Sequence, residues 1–563
     1  MRKDKRAPSA LHPVIPALVR DCTEGRLERR EFLALASTFG ASTAMAYGLI
    51  GLPVPAEAQE GLPDLPKETT LRCQMRVLAV DDPRLFDWSE KGNIARGICE
   101  NLVRWRSDYT FEPWLLESWE VNDDATQYAF NLREGVSWSN GDQLIVEDLA
   151  YNFERWCDPT VEGNSMAVRM AALRNKQTGK LQDGAIRLES AHRMTLRLAF
   201  PDTALIANLT DYPALIVHPS FDKTGASLSA NPIGTGPYTL AALEVGKRAV
   251  LKRRPGWWGG DVALDRIEYL DFGTDPAASV KAFKEGLIDM VHESSADFIE
   301  TFDALGLKRS EVQTASTLIC RANRNQMVNG VPLFANVRVR KALQRAVDNG
   351  IVLELGYRNR GVVGENHHVA PIQPEYTPMP PAPRDPQVAR DLLAEAGASA
   401  ATFELVTLDD DWNRASGDAI AVQMRDAGIN VTRKLLHGPM FWDSWRTHAL
   451  SCTQWTARPL AVQILSLAYT SDGAWNETGI KSPVLDGLIQ QALQTPDTEA
   501  RRAIVAKIQA FLQEDGTIIQ PFWRSVFRHA RANVLGARAH QALEHHHDRW
   551  SLIETDNQPA KAD

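Results

Sequence analysis

Asn231-Pro232-Ile233-Gly234-Thr235-Gly236-Pro237-Tyr238 decides how the rest of the chain is read. Two glycines and two prolines in eight residues describe a turn of fixed geometry. The turn leads into a strand, so the Gly234/Gly236 pair is not the phosphate loop of a dinucleotide fold, which opens a helix. Upstream, Tyr128, Phe130 and Leu132 alternate with Gln127, Ala129 and Asn131, and Met194, Leu196, Leu198 and Phe200 repeat the same two-residue period. Glu147 to Cys157, between them, reads as a helix. Downstream of Asn336 the chain turns helical, with Leu343, Ala346, Val347 and Ile351 on one apolar face. Asp385-Pro386 supplies an N-cap and first helical residue, with Gly397 as the stop. Ser482-Pro483 and Thr495-Pro496 are read as helix starts of the same kind, Phe403 to Leu408 as a buried strand, and Pro371 to Pro386 as an ordered, extended surface loop. The fold class is α/β.

The chain has 563 residues, enough for two or three compact units. A net charge of −9 without any basic stripe excludes a nucleic-acid binder, because phosphate binding needs clustered Lys and Arg. No GxSxG or HExxH run is present and no carboxylate pair stands out, so no enzyme is read here. The six cysteines lack CxxC spacing and form neither a disulfide framework nor a zinc site. His545-His546-His547-Asp548 is the one metal-like cluster. On a strand adjacent histidines point to opposite faces, so at most two could share an ion, and the run is read as a surface tract. His367-His368 carries the same weakness. No cofactor and no metal are expected.

Arg29-Arg30-Glu31-Phe32-Leu33 opens an uncharged run from Phe32 to Ala56 that ends in Ala56-Glu57-Ala58. Paired arginines, a mildly apolar stretch and an A-x-A site resemble a twin-arginine signal peptide over residues 1–58, a receptor-read address that is cleaved on export. The expectation is a soluble, periplasmic, monomeric protein that meets the twin-arginine export machinery on its way out.

The Asn231 to Tyr238 turn resembles the signature of family 5 of the bacterial extracellular solute-binding proteins, the peptide/nickel-binding subunits of ABC importers. Leu115 to Val121 resembles the family's "LAESWEV", Phe130 to Gly141 its "FTLREGVKFHDG", and Arg253 to Gly260 its "RNPDYWGG". Phe283 to Met290 resembles "FQAGELDI", Val337 to Leu343 "RVRQAL", and Arg390 to Gly397 "ARALLAEAG", all in family order. The resemblance implies a two-lobed clam-shell of the periplasmic-binding-protein type (class II) with an inserted subdomain. Domain I would combine residues 59–103, 230–320 and 520–563, domain II would be the insertion 104–229, and domain III 321–519. Hinge strands would cross near Ile319 to Asn323 and Ile518 to Pro521, and the implied partners are a small solute and the ABC permease subunits of the inner membrane.

The oligopeptide-binding members carry, in domain III, a Trp followed three residues later by an Asp that pairs with the peptide ammonium. The matching run here is Trp455-Thr456-Ala457-Arg458, where a guanidinium stands in place of that carboxylate. A guanidinium repels an ammonium and suits a carboxylate or phosphate, so the ligand, a peptide or peptide-like solute, is expected to present an anionic group to Arg458. Trp455 is the expected stacking face. The resemblance places Thr456, His437 and Trp442 at the cleft, Trp475 and Asn476 in a loop over it, and Arg321 on the hinge. The alternatives are a metal-chelate, haem or opine-type carrier of the same family, a periplasmic ligand sensor, and an exported hydrolase.

Overall fold

The computed structural model describes residues 11–54, 69–380 and 383–553. The turn at 231–238 lies against the backbone of residues 97 and 98. A Cβ on Gly234 would stand 1.9 Å from the Ile98 carbonyl oxygen, and one on Gly236 would stand 2.5 Å from that of Gly97. Neither glycine has a positive φ, so glycine is needed here for close backbone approach and not for left-handed geometry. The Gly236 N–H donates to Ile98 and the Tyr238 N–H to Gly97, both at 2.8 Å. Arg254 donates to the carbonyls of Ser137 at 2.8 Å and Trp138 at 3.0 Å. Blocks far apart in sequence are thereby tied at one point.

An eleven-stranded sheet runs through the molecule. One end carries Asn430–Leu436, Thr402–Leu408 and Leu450–Trp455; the other carries Met290–Val291, Thr70–Gln74, Arg266–Leu270, Arg248–Arg253 and Tyr238–Glu244. Between them stand its two longest strands, Lys308–Ala322 and Ile518–Ala530, paired antiparallel, with Gly361–Val363 added to the second. Their register slips between Gln313 and Thr317 and again between Leu318 and Cys320. Such slips bend a strand and leave backbone groups to be satisfied from elsewhere. Thr314 and Thr317 supply them, donating to the carbonyls of Arg524 at 2.7 Å and Phe522 at 2.6 Å. The segments expected to cross between lobes lie at the Arg321/Ile518 end of this pair.

Thr402–Leu408 and Asn430–Leu436 run parallel, joined through the helix Asp411–Asp426, as a parallel pair requires. A second sheet of Leu116–Val121, Gln127–Leu132, Arg193–Arg197 and Ile186–Ser190 is antiparallel. The helix Val146–Cys157 buries Leu149, Phe153 and Trp156, and the Phe153 ring lies 6.3 Å from that of Phe130 on the sheet. Ahead of these, Ile15–Thr23, Arg29–Thr38 and Thr43–Leu49 form three helices around a small core that includes Leu18, Phe32, Leu35, Phe39 and Tyr47. The expected cleavage sequence Ala56-Glu57-Ala58 lies outside the described residues, among which no helix is long and apolar enough to cross a membrane.

Three expectations need correction. The helix read from Thr495-Pro496 is Thr498–Glu514, capped by Asp497, which accepts the Ala500 N–H at 2.8 Å. In the segment from Pro371, Gln373 and Glu375 are buried, the former bonding the Arg458 carbonyl at 3.0 Å, so this part is not a surface loop. The triple histidine is not a surface tract either. It lies outside regular strand, with His545 and His547 buried and joined to Tyr269 Oη at 2.9 and 2.6 Å. His367 and His368 are buried as well, and all six cysteines are free.

Candidate functional site

Two cavities open between the half built on Leu450–Trp455 and the half built on Thr70–Gln74. The larger, of about 170 Å³, is polar, with Arg76, Glu90, Asp275, His292, Glu293 and Asp410 among its walls. The smaller, of about 30 Å³, is aromatic: Trp88, Trp442, Trp445, Trp455, Trp475 and Tyr212 line it. Gln454 lines both, so they are compartments of one cleft.

Local structure explains the aromatic wall. Trp455 ends the strand Leu450–Trp455, and its Nε1 donates to Glu477 at 2.8 Å. Glu477 also accepts from Thr453 at 2.7 Å and from Arg321 Nε at 2.8 Å, with Arg321 and Glu477 both shut off from solvent. Arg321 donates further to the carbonyls of His448 at 2.6 Å and of Trp445. It therefore holds the Trp445 to His448 segment and the Glu477 carboxylate behind Trp455, and it does not line the cleft. Trp475 meets Trp455 edge-on at 5.7 Å, and Trp442 meets Trp88 from the other half at 3.9 Å. Buried Trp442 Nε1 has no hydrogen-bond partner among the described residues. The same is true of the indole N–H groups of Trp105, Trp156 and Trp257, but of these four tryptophans Trp442 alone lines the aromatic cavity.

Arg458 closes the floor. Its Nε donates to Asp211 Oδ2 at 3.0 Å, its Nη2 to Tyr212 Oη at 3.2 Å, and its Nη1 to the Thr456 carbonyl at 2.8 Å. The expectation of a guanidinium awaiting a ligand anion is corrected to this extent: a carboxylate of the opposite half already meets it. Arg169 Nη2 shares that carboxylate at 2.8 Å. Burial alone would raise the Asp211 carboxyl, but Arg458 and Arg169 together hold it below its ordinary value. Burial pushes Arg169 down to about 10, against the pull of Asp211 and with the push of Arg458. Burial also opposes the charge on Arg458, yet Asp211 and Tyr212 raise it above its ordinary value. Two guanidiniums around one carboxylate leave one net positive charge. A guanidinium has five N–H donors, of which protein bonds take three in Arg458.

Of the residues expected at the cleft, Trp442, Trp455, Thr456, Arg458 and Trp475 line the aromatic cavity. His437 does not: its side chain is 81% exposed, 3.5 Å from Asp409. Asn476 does not either, because its Nδ2 bonds the carbonyls of Thr470 at 3.1 Å and Ile480 at 2.8 Å within its own loop. Sequence reasoning missed Trp88, Trp445, Tyr212, Asp211 and Arg169. The only signal that could have found the tryptophans was their number, 15 in the chain, and nothing in sequence links Asp211 to Arg458.

His540, Glu544 and His546 bring possible metal-ligand atoms within 4.8 Å of one another. Two of the three are committed elsewhere in the protein, and His546 meets only Glu544, at 3.2 Å. His540 bonds the Trp105 carbonyl at 2.9 Å and accepts the Ala542 N–H at 3.2 Å, while Glu544 pairs with Arg96 at 2.8 Å.

The profile of the bacterial extracellular solute-binding proteins, family 5 (middle region), matches residues 110–477. The periplasmic oligopeptide-binding protein OppA of Salmonella typhimurium is 25% identical over 496 residues, 83% of this chain and 89% of that protein. Among solved structures, the murein tripeptide binding protein MppA of Escherichia coli superimposes with a TM-score of 0.78 at 18% identity, over 87% of this chain and all of that one. The OppA of Haemophilus influenzae in complex with RPPGFSPFR gives 0.77 at 18% identity, over 87% of this chain and 100% of that chain. These likenesses show a two-lobed α/β binding-protein fold.

Proposed function

From the premise that this chain belongs to the bacterial extracellular solute-binding proteins of family 5, we propose that it is the solute-capturing subunit of a peptide-type ABC importer. It works outside the cytoplasm as a monomer after loss of residues 1–58, and it performs no covalent chemistry. The reading is supported by relatives that are periplasmic binding proteins and by the cleft itself. On this reading residues 104–229 lie in one lobe with 59–103, 230–320 and 520–563, and residues 321–519 form the other. The two central strands serve as the waist on which the lobes move.

The observation that carries the ligand class is the aromatic cavity with its shared carboxylate. Asp211 stands on the first lobe and Arg458 on the second, so their ion pair forms only when the lobes are shut. Closure leaves one positive charge and the unpaired Trp442 donor facing a box of indole rings. A box of about 30 Å³ takes only the anionic or strongly hydrogen-bond-accepting end of a solute against aromatic faces, and the rest must reach into the larger compartment. A peptide carboxylate meets this requirement, whereas a peptide ammonium is repelled. Binding shifts the lobes toward the shut state by the difference in affinity for the two states, and a few kcal/mol is enough.

The test is titration of short peptides with free and amidated C-termini, followed through tryptophan fluorescence. Free-carboxylate peptides should bind and quench, and amidation should cost at least tenfold in affinity. Equal binding of both forms would refute the anionic requirement while leaving the importer reading intact. Native mass spectrometry on protein from its own periplasm names the solute, and a bound haem or metal chelate there would replace the peptide reading.

A further inference from the structure

The apolar run read as an export address is not a loose tail. The helix Arg29–Thr38 buries Phe32, Leu35, Ala36 and Ser37, all at 1% exposure or less. Part of that burial is against the body of the protein. The strand Phe111–Pro113 belongs to a two-stranded sheet with Val103–Trp105, so one of its edges is unpaired within the sheet. The Phe111 N–H donates to Ser37 Oγ at 2.9 Å, while the same hydroxyl donates to the Leu33 carbonyl at 2.7 Å. Trp119 Nε1 donates to the Thr38 carbonyl at 3.3 Å, and Tyr47 Oη donates to Asp108 at 3.2 Å. Gly40, with φ +86°, lets the chain turn where a Cβ would stand 3.2 Å from the Trp119 carbonyl oxygen. His12 Nε2 meets the Asn122 carbonyl at 3.1 Å. On the other lobe, Glu31 faces Arg502 of the helix Thr498–Glu514 at 3.6 Å.

The paired arginines are engaged as well. The Arg29 guanidinium lies 5.1 Å from the centre of the Tyr47 ring, and Arg30 Nε donates to Glu28 at 2.9 Å. Both arginines stay at the surface, Arg29 exposed and Arg30 half-exposed, whereas the apolar run after them is buried and out of reach of a receptor.

We propose that the surface formed by Phe111, Trp119 and Asp108, with Arg502 of the helix Thr498–Glu514, is a docking site for the chain's own residues 11–54. Docked there, the leader hides the apolar run of its export address and ties the two lobes together until it is displaced. An uncovered strand edge recruits other chains, so the docked leader also protects the precursor while it waits. The hiding of the address rests on the export reading above; the docking itself does not.

The experiment is hydrogen exchange on the full chain and on a chain starting at Gln59, combined with the rate of leader removal in cells. In the full chain, the amides of Phe32 to Thr38 should exchange at least tenfold more slowly than in an unfolded peptide. The Phe111 amide should lose at least tenfold of its protection in the shorter chain. Arg502→Glu sets a carboxylate against Glu31, and Trp119→Phe removes the bond to Thr38 while keeping a ring. Either variant should lower the protection of 32–38 and speed leader removal at least threefold. Exchange of 32–38 at peptide rates in an otherwise protected full chain overturns the docking. Lost protection with an unchanged removal rate overturns the hiding of the address. A leader that stays protected and is never removed from any variant sinks the export reading and the hiding of the address with it, and leaves the docking standing.

Discussion

Asp211 serves two guanidiniums, so removing it and removing one of its partners should have unequal effects. Asp211→Asn leaves Arg169 and Arg458, both buried, facing each other without a counter-charge. Breaking a buried ion pair by deleting one partner costs about 3–5 kcal/mol. The amide oxygen of Asn keeps one acceptor, which places the expected loss at the lower end, about 3 kcal/mol. Arg458→Met instead leaves Asp211 with Arg169 at 2.8 Å, a matched pair, and keeps an apolar stem near the Trp475 ring. Its cost is the lost bonds to Tyr212 and the Thr456 carbonyl, about 1–2 kcal/mol. The double variant restores a single uncompensated guanidinium and should recover part of the Asp211→Asn loss. Urea unfolding measures the stabilities, and peptide titration the affinities. Arg458→Met should weaken an anionic ligand by roughly tenfold to 150-fold, the worth of a bond to a charged group of about 1.5–3 kcal/mol. Asp211→Asn should weaken it less than Arg458→Met does, because the floor becomes more positive even as the cross-lobe pair is lost. Equal destabilisation by the two single variants, or no recovery in the double, would refute the shared-carboxylate account.

Gly234→Ala puts a methyl 1.9 Å from the Ile98 oxygen and should abolish folding or cost more than about 3 kcal/mol, whereas Ala at Gly487, with open space around it, should be neutral or stabilising in thermal unfolding. Glu477→Gln removes the charge opposite Arg321 and should cost about 3 kcal/mol in urea unfolding while shifting the emission of Trp455. Burial holds His292, His368, His540 and His547 down to about 3 in the fold, so in the window between about 3 and 6.5 the unfolded chain binds the extra protons. Stability should therefore fall as pH drops below 6.5, by about 1.4 kcal/mol per pH unit for each such histidine, and proton uptake on unfolding near pH 5 checks it. Burial raises Glu31 to about 7, against the Glu28 N–H that it accepts and the nearby Arg502, both of which lower it. Its folded value lies above its ordinary 4.5, so leader docking should weaken as pH rises through this window, and hydrogen exchange of residues 32–38 at pH 5.5 and 7.5 would show it.

Local rules carried far where a local cause acts. Helix starts with a capping Asp or Ser before Pro stand where expected at Asp385 and Ser482, because the cap and the fixed proline φ act within one turn. They failed at Thr495-Pro496, where Asp497 competes as a cap two residues on. Strand periodicity found the antiparallel sheet around Tyr128 and Met194. The histidine run misled because its burial comes from Tyr269 and His292, more than two hundred residues away.

The order of motifs along the chain was enough to identify the two-lobed fold, and the tryptophan count and the Trp455 to Arg458 run marked one wall of the cleft. What faces that wall was decided by tertiary structure alone. Asp211 lies 247 residues from Arg458 and Trp88 lies on the other half from Trp442, and no spacing rule connects residues that meet only when two lobes close. The same holds for the leader. Its apolar run reads as an address in sequence, and only the tertiary structure shows that these residues pack on one another while Ser37 and Thr38 bond Phe111 and Trp119.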